Sequence, residues 1–299
     1  MDLQLNEDQQ MVSDTVRSFL AGRAGSDLWK EITELGWQAL PFEEFGFLEA
    51  CLIAEEFGRA RVATPYLSSV CVGGFAAPDL RSSIADGAVV AYVPFSGALV
   101  PWAASADHLL VASPSGVLVV TPSQVSLTPV EVVGPAPTSR VDYAEVTGTP
   151  VATSPSAIEL LGAAATCAEM VGGAEAVLEM TVAYAKEREQ FGKPIGAFQA
   201  VQHHCANMAV DVMGARFAAY EAIWRLSREL PAEMEVSVAK SWVSEAYERV
   251  CALGHQVHGA IGFTAEHDLH HYTRHAMSSA LSYGDADTHT DRLATQLGI

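Results

Sequence analysis

The sequence predicts a mainly α protein with a small β domain set between two helical regions, and three observations carry that reading. Apolar residues recur every three or four positions from Asn6 to about Leu80. Short β-branched runs broken by Pro, Ser and Gly fill the stretch from about Asp86 to Val151. The helical period then returns at Ser154 and persists. The expected order is an N-terminal helical domain over 1–85, a reduced middle β domain over 86–152 and a C-terminal four-helix bundle over 153–299.

In the first region Met11, Val12, Val16, Phe19 and Leu20, then Leu28, Ile32 and Leu35, then Leu48, Leu52, Ile53 and Phe57 form helical stripes. Asn6 and Ser13 suit N-caps, Gly36 and Gly58 suit helix ends, and Pro41 and Pro65 suit connections. Glu43, Glu44, Glu55 and Glu56 read as a solvated face, and Trp29, Trp37 and Trp242 as core. In the middle region "AVVAYVPF", "DHLLVAS", "GVLVVTP" and "VEVVG" read as strands.

Ser154 and Pro155 are an N-cap and a first-turn proline, opening a helix to about Glu187 in which Gly162, Gly172 and Gly173 predict close packing. A second helix, from about Phe198 to Arg228, turns Val201, Cys205, Met208, Val212 and Ala215 inward. A third, from about Met234 to Val257, uses Val238, Trp242, Val250, Leu253 and Val257.

Charge narrows the function classes. With 17 basic against 36 acidic residues the formal charge is −19, a field that repels nucleic acid and anionic membrane surfaces. An anionic ligand would need a local cluster of donors, which makes every Arg in a loop informative. The five cysteines are odd in number, scattered and never in a CxxC pair, as expected of reduced thiols in the cytoplasm. The acidic start "MDLQLNEDQQMVSDTV" is unlike a signal peptide, and neither export nor a membrane span is expected.

The most informative stretch is "REQFGKPIGAFQAVQ", which sets Arg188, Gln190, Phe191 and Gly192 in a loop between helices and Gln199 at the next helix start. A connection alone needs the glycines and the proline, not Arg, Gln and Phe together. With "QVHGAIGFTAEHDLHHYTRHA" further on, and with helices, a small β domain and long helices in that order, the chain resembles the acyl-CoA dehydrogenase family. The resemblance is strong from Ala163 to Leu293, fair from Leu3 to Tyr66 and poor in the β domain.

The resemblance implies an FAD-dependent α,β-desaturation of an acyl-CoA thioester, with electron-transfer flavoprotein as acceptor. It implies that Arg188, Gln190, Phe191, Gln199, Gln256 and Gly259 contact the FAD of a neighbouring subunit, Arg188 meeting the pyrophosphate through its forked donors. Ala260 stands where relatives more often have a second glycine.

The family's catalytic carboxylate has no counterpart in register. Gly284 and Ser244 occupy its two known placements, with Asp285 and Glu245 one residue along, so Asp285 is the candidate catalytic base on this chain. The family's "TEPxAGSD" flavin-ring segment is also missing. Keeping the neighbour-facing half of a flavin site while losing the other half resembles the short subunits of actinobacterial heterotetrameric (α2β2) acyl-CoA dehydrogenases, several acting on steroid-derived thioesters. The expected partner is therefore a longer homologue. Two other readings stand beside this one: a scaffold of the same fold without flavin, and a flavin monooxygenase or oxidase. No metal is assigned to the His-rich segment from His255 to His275, since histidine spacing without a carboxylate motif is a weak ligand signal.

Overall fold

The computed structural model describes residues 5–23 and 28–299; Leu3, where the resemblance starts, lies outside them. Helix α1 (Glu7–Leu20) opens on a capping box, Asn6 accepting the Gln9 backbone N–H at 2.8 Å while the Gln9 side chain accepts the Asn6 N–H at 3.1 Å. Ser13, expected as a cap, lies inside α1 and is buried, its hydroxyl donating to Glu56 at 2.9 Å.

After the short α2 (Trp29–Glu34) and α3 (Leu40–Glu43, which includes Pro41), α4 (Phe47–Ala60) runs through the core. Gly36 follows α2 at φ 74°, as a helix stop should, but Gly58 is internal to α4, and Arg61 at φ 57° closes that helix instead. Gly58 serves packing. A methyl there would overlap the carbonyl of Glu169, and one at Gly172 would overlap that of Glu55, so α4 crosses α6 (Pro155–Glu187) at backbone distance.

Glu55 and Glu56 are the main departure from the sequence reading, since both are buried rather than solvated. Each faces a guanidinium on a helix packed against α4. Glu56 takes Arg17 at 2.7 Å, and Glu55 takes Arg216 at 2.7 Å together with the Tyr220 hydroxyl. Glu43 and Glu44 are exposed as expected.

A π-helical stretch, Leu67–Gly74, and α5 (Arg81–Ala85) lead into the β region. Its strands are β1 (Val90–Val93), β2 (Ala98–Pro101), β3 (His108–Ser113), β4 (Gly116–Val120), β5 (Ser126–Val130), β6 (Thr138–Asp142) and β7 (Thr149–Val151). They form two sheets, β1-β3-β4-β7 with β1 parallel to β3, and an antiparallel β2-β6-β5. Val93, Leu109, Val111 and Val141 belong to the small core of this region. Of the run "VEVVG" only Val130 is in a strand; the segment leads into Pro135 and Pro137, which cannot donate to a ladder.

The rest is helical apart from a two-stranded hairpin, β8 (Glu189–Gln190) with β9 (Lys193–Pro194). Helices α7 (Gln199–Ser227), α8 (Glu233–His258), α9 (Leu269–Leu281) and α10 (Ala286–Leu297) join α6 in the C-terminal helical region. Met208, Val212 and Ala215 are buried on α7, while Val201 and Cys205 are half-buried. On α8, Val250 and Val257 are inward and Leu253 half-buried, but Val238 and Trp242 face outward, Trp242 being 43% exposed. The inward stripe of α8 is Val236, Lys240, Val243 and Tyr247, and Trp242 lies instead across Gly214 of α7 beneath the Arg249 guanidinium. Trp37 is buried; Trp29 is half-buried, its indole N–H donating to Gly87 at 2.8 Å. Helix α6 is long and apolar enough to cross a membrane, and most of that stretch is buried inside the fold.

Candidate functional site

Two pairs fix the relation of α6 to α8. Gly173 sits under the Tyr247 hydroxyl, and the Tyr184 ring stacks on His258 at 4.5 Å and 20°. Both contacts advance together along the two helices, so α6 and α8 run parallel and end at the same place. The loop after α6 and the segment after α8, far apart in sequence, meet there.

After α6 the chain reverses in a two-residue hairpin. Gln190 pairs with Lys193, leaving Phe191 and Gly192 as the turn at φ 53° and 75°. That geometry is the favoured hairpin twist, but it suits Gly or Asn, and holding Phe in it costs about 1 kcal/mol or more. The ring is 92% exposed and touches only the edge of Phe198, at 6.0 Å, among the ring contacts of the described residues. Arg188 ends α6 with its backbone N–H on Tyr184 (2.8 Å); its side chain is exposed and makes no ion pair among the described residues. Gln190 and Gln199 are exposed beside it, Gln199 as the first residue of α7.

At the end of α8, Gln256 is exposed and Gly259 adopts φ 64°, ψ −144°, a combination that glycine alone takes readily, with open space where a Cβ would stand. Both line a groove of about 760 Å³ with His255, Phe263, Thr273 and Met277. The buried His258 donates from Nδ1 to the Gly254 carbonyl at 2.9 Å, and burial holds its pKa below the usual histidine value, so it stays neutral near pH 7. Thus Arg188, Gln190, Phe191, Gln199, Gln256 and Gly259 occupy one end of the bundle. An exposed guanidinium with no ion pair among the described residues, in an acidic chain and beside open glycine backbone, fits the anionic pyrophosphate of a dinucleotide.

The histidines of this end are engaged in local bonds: His255 Nε2 with Thr273 at 2.8 Å, His270 Nδ1 with the His267 carbonyl at 2.7 Å, and His275 Nδ1 with the Tyr247 hydroxyl at 3.2 Å. Among the described residues no group of three or more metal-binding side chains converges.

Asp285 stands elsewhere. It is the N-cap of α10, accepting the Thr288 N–H at 2.8 Å, and this bonding holds its pKa below the ordinary carboxylate value. A base for an α proton gains from the opposite shift. Glu245 is turned to solvent and meets Arg249 at 3.3 Å, as a one-residue offset on a helix dictates.

Sequence reasoning missed Lys240, which is fully buried and donates to Ser244 Oγ (3.2 Å), the Ala280 carbonyl (2.8 Å) and the Gly284 carbonyl (2.9 Å). The signal was available: Lys240 sits in register with Val236, Val243 and Tyr247. Along α8, Lys240 and Gln256 are about 24 Å apart. The hairpin end and the Lys240 corner are thus well separated within one chain.

Comparison with known proteins agrees with this architecture. Residues 159–298 match the acyl-CoA dehydrogenase C-terminal domain. The acyl-CoA dehydrogenase IpdE2 of Mycobacterium tuberculosis is 32% identical, the alignment covering 92% of both chains. Among solved structures, a chain of the ChsE4-ChsE5 complex from Mycobacterium tuberculosis superposes with a TM-score of 0.88 at 24% identity, covering 100% of this chain and 99% of that one. A chain of the Tcur3481-Tcur3483 steroid ACAD gives 0.87 at 23% identity, with 98% of each covered. Sharing a third of its residues with a relative over nearly the whole of both chains, this protein belongs to the acyl-CoA dehydrogenase family.

Proposed function

We propose that the chain is the short subunit of a heterotetrameric, FAD-dependent acyl-CoA dehydrogenase. In this reading it lends Arg188, Gln190, Phe191, Gln199, Gln256 and Gly259 to the FAD of a longer homologous subunit. The observation that carries the reading is the exposed hairpin end, with its exposed Arg188, about 24 Å along α8 from a corner holding the Lys240 amino group instead of a free carboxylate.

FAD, when bound, supplies the acceptor for the hydride leaving the β carbon of the thioester. Arg188 would meet the pyrophosphate with its forked donors, the amides of Gln190, Gln199 and Gln256 would orient the nucleotide, and Gly259 would let backbone approach it. The α proton goes to a carboxylate of the longer subunit, since Asp285 is occupied as a helix cap. The relatives named for a two-protein complex and for a steroid ACAD support a heteromeric assembly and a bulky, steroid-derived acyl group. Electron-transfer flavoprotein is the electron acceptor in this reading, and the cytoplasm is the compartment.

Co-expression with the longer homologue tests it. The complex should be yellow and be bleached by an acyl-CoA thioester under anaerobic conditions, while the chain alone should be colourless and inactive. A chain that binds flavin and turns over alone overturns the reading. A colourless complex points to a scaffold, and rapid reoxidation by oxygen points to an oxidase.

A further inference from the structure

Five of the ten histidines fall between His255 and His271, so half of the side chains able to gain charge near neutral pH stand at the end of the bundle where Arg188 is exposed. The hydrogen bonds of two of them leave a nitrogen open to a proton. His258 gives its Nδ1 hydrogen to the Gly254 carbonyl at 2.9 Å, which leaves a lone pair on Nε2. The Thr273 hydroxyl donates to the Leu269 carbonyl at 3.2 Å and so accepts from His255 Nε2 at 2.8 Å, which leaves the lone pair of His255 on Nδ1. Both bare nitrogens are buried and have no hydrogen-bond partner among the described residues.

The two rings lie in the last turn of α8, whose carbonyl end favours a cation. They are nevertheless neutral near pH 7, because burial first, and then the neighbouring histidines, hold both pKa values below the usual one. The titratable groups packed around the pair are Tyr184 of α6, Cys251 of α8, His267 of the connecting segment and His270 of α9, none of them a carboxylate. Glu248 lines the same groove two turns, about 10 Å, back along α8, and Asp268 is held by Arg61 at 3.0 Å. An anion arriving from outside the chain is what would charge the pair.

We infer that His255 and His258 form a proton-binding pair that couples flavin-nucleotide affinity to pH, taking up about one proton as the dinucleotide pyrophosphate settles beside Arg188 and Gly259. One proton rather than two enters, since the rings stand one turn apart and a second charge would repel the first. Arg188 stays charged throughout, and a pyrophosphate esterified at both ends does not titrate near neutral pH, so a proton gained on binding belongs to a protein side chain. An imidazole whose pKa rises on binding holds more protons in the complex than in the free protein. Affinity is therefore greatest at low pH and is lost as pH rises through the bound-state pKa.

This inference rests on the reading that this end of the bundle holds the flavin, and calorimetric titration of the flavin-stripped complex with FAD tests the two separately. Binding enthalpies at pH 7 in buffers of different ionisation enthalpy count the protons taken up. About half a proton or more should enter per FAD, and affinity should fall roughly threefold or more between pH 6 and 8. The double variant His255→Gln with His258→Gln keeps a donor at each position and should bind FAD without the uptake and with a flat pH profile. FAD bound with no buffer dependence, or with uptake undiminished in the double variant, overturns the inference and leaves the flavin reading standing. A complex that binds no FAD overturns both. If the double variant does not assemble, His255→Gln alone decides: uptake reduced by about half or more supports the pair, and unchanged uptake overturns it.

Discussion

The Tyr184 ring lies flat on the His258 imidazole, centroids 4.5 Å apart, and this one contact joins the α6 hairpin to the α8 terminus. Tyr184 stands one helical turn before Arg188, and His258 precedes Gly259, so the stack sets the spacing between the two segments proposed to hold the flavin nucleotide. Tyr184→Ala should weaken flavin retention in the assembled complex by about 1 kcal/mol, roughly fivefold, while Tyr184→Phe keeps the ring and the affinity. Flavin titration of the apo-complex measures both.

Arg188→Ala should act more strongly, because a charge-assisted bond is removed outright. The expected loss is roughly 1.5–3 kcal/mol of flavin binding with the assembly intact by gel filtration. Arg188→Lys should recover only part of it, since an ammonium lacks the planar fork.

Glu56 ties α1 to the interior of the molecule. It is 1% exposed and accepts from Ser13 and twice from Arg17, with Arg59 at 3.5 Å. Glu56→Ala leaves Ser13 and Arg17 without this acceptor, while Arg59 keeps Glu175 and Glu179, and should cost about 3 kcal/mol, the lower end for a broken buried pair because Arg17 is half-exposed. Denaturant unfolding should show the midpoint fall with the slope unchanged.

Periodicity made the long helices legible: α6, α7 and α8 begin and end within a residue or two of where caps, Pro155 and the apolar repeat place them, whereas the hairpin between α6 and α7 read only as a loop. What periodicity cannot carry is the identity of a facing partner. Glu55 and Glu56 look like any acidic helical pair until Arg216 and Arg17 arrive from other helices, and Gly58 looks like a stop until α6 crosses it. Strands β2 and β6 were not legible because both alternate buried and exposed positions and neither contains a continuous β-branched run. For the site, motif spacing named the residues that meet at the hairpin end of the bundle, while Lys240 needed three-dimensional convergence to be noticed.

His289 should make the protein acid-labile in a defined window. Burial pushes its pKa down to about 4 from 6.5, so the unfolded chain binds a proton that the folded one refuses. Stability is then fully present above pH 6.5 and is lost as pH falls toward 4, by about 3 kcal/mol for a shift of this size. His289→Gln keeps a donor for the Tyr283 carbonyl and should flatten the dependence. Unfolding free energies at pH 7.5 and 4.5 decide it, and an equally steep fall in the variant excludes His289 as the source.

Asp285→Asn separates the two places a base could be. Asn caps a helix about as well as Asp, so α10 and the assembly should survive the change. If the base belongs to the longer subunit, turnover of the complex should stay near normal, because the Asp285 carboxylate is engaged in capping α10 through Thr288. If Asp285 abstracts the α proton, turnover should collapse by about two to four orders of magnitude with flavin still bound. The lowered pKa of Asp285 argues for the first outcome: a carboxylate stabilised in its charged form is a weaker proton acceptor at the working pH. Its bond to Thr288 also ties the oxygen to the helix end, so reaching substrate would require uncapping α10. Steady-state turnover of the co-expressed complex, with flavin content measured on the same sample, distinguishes the two.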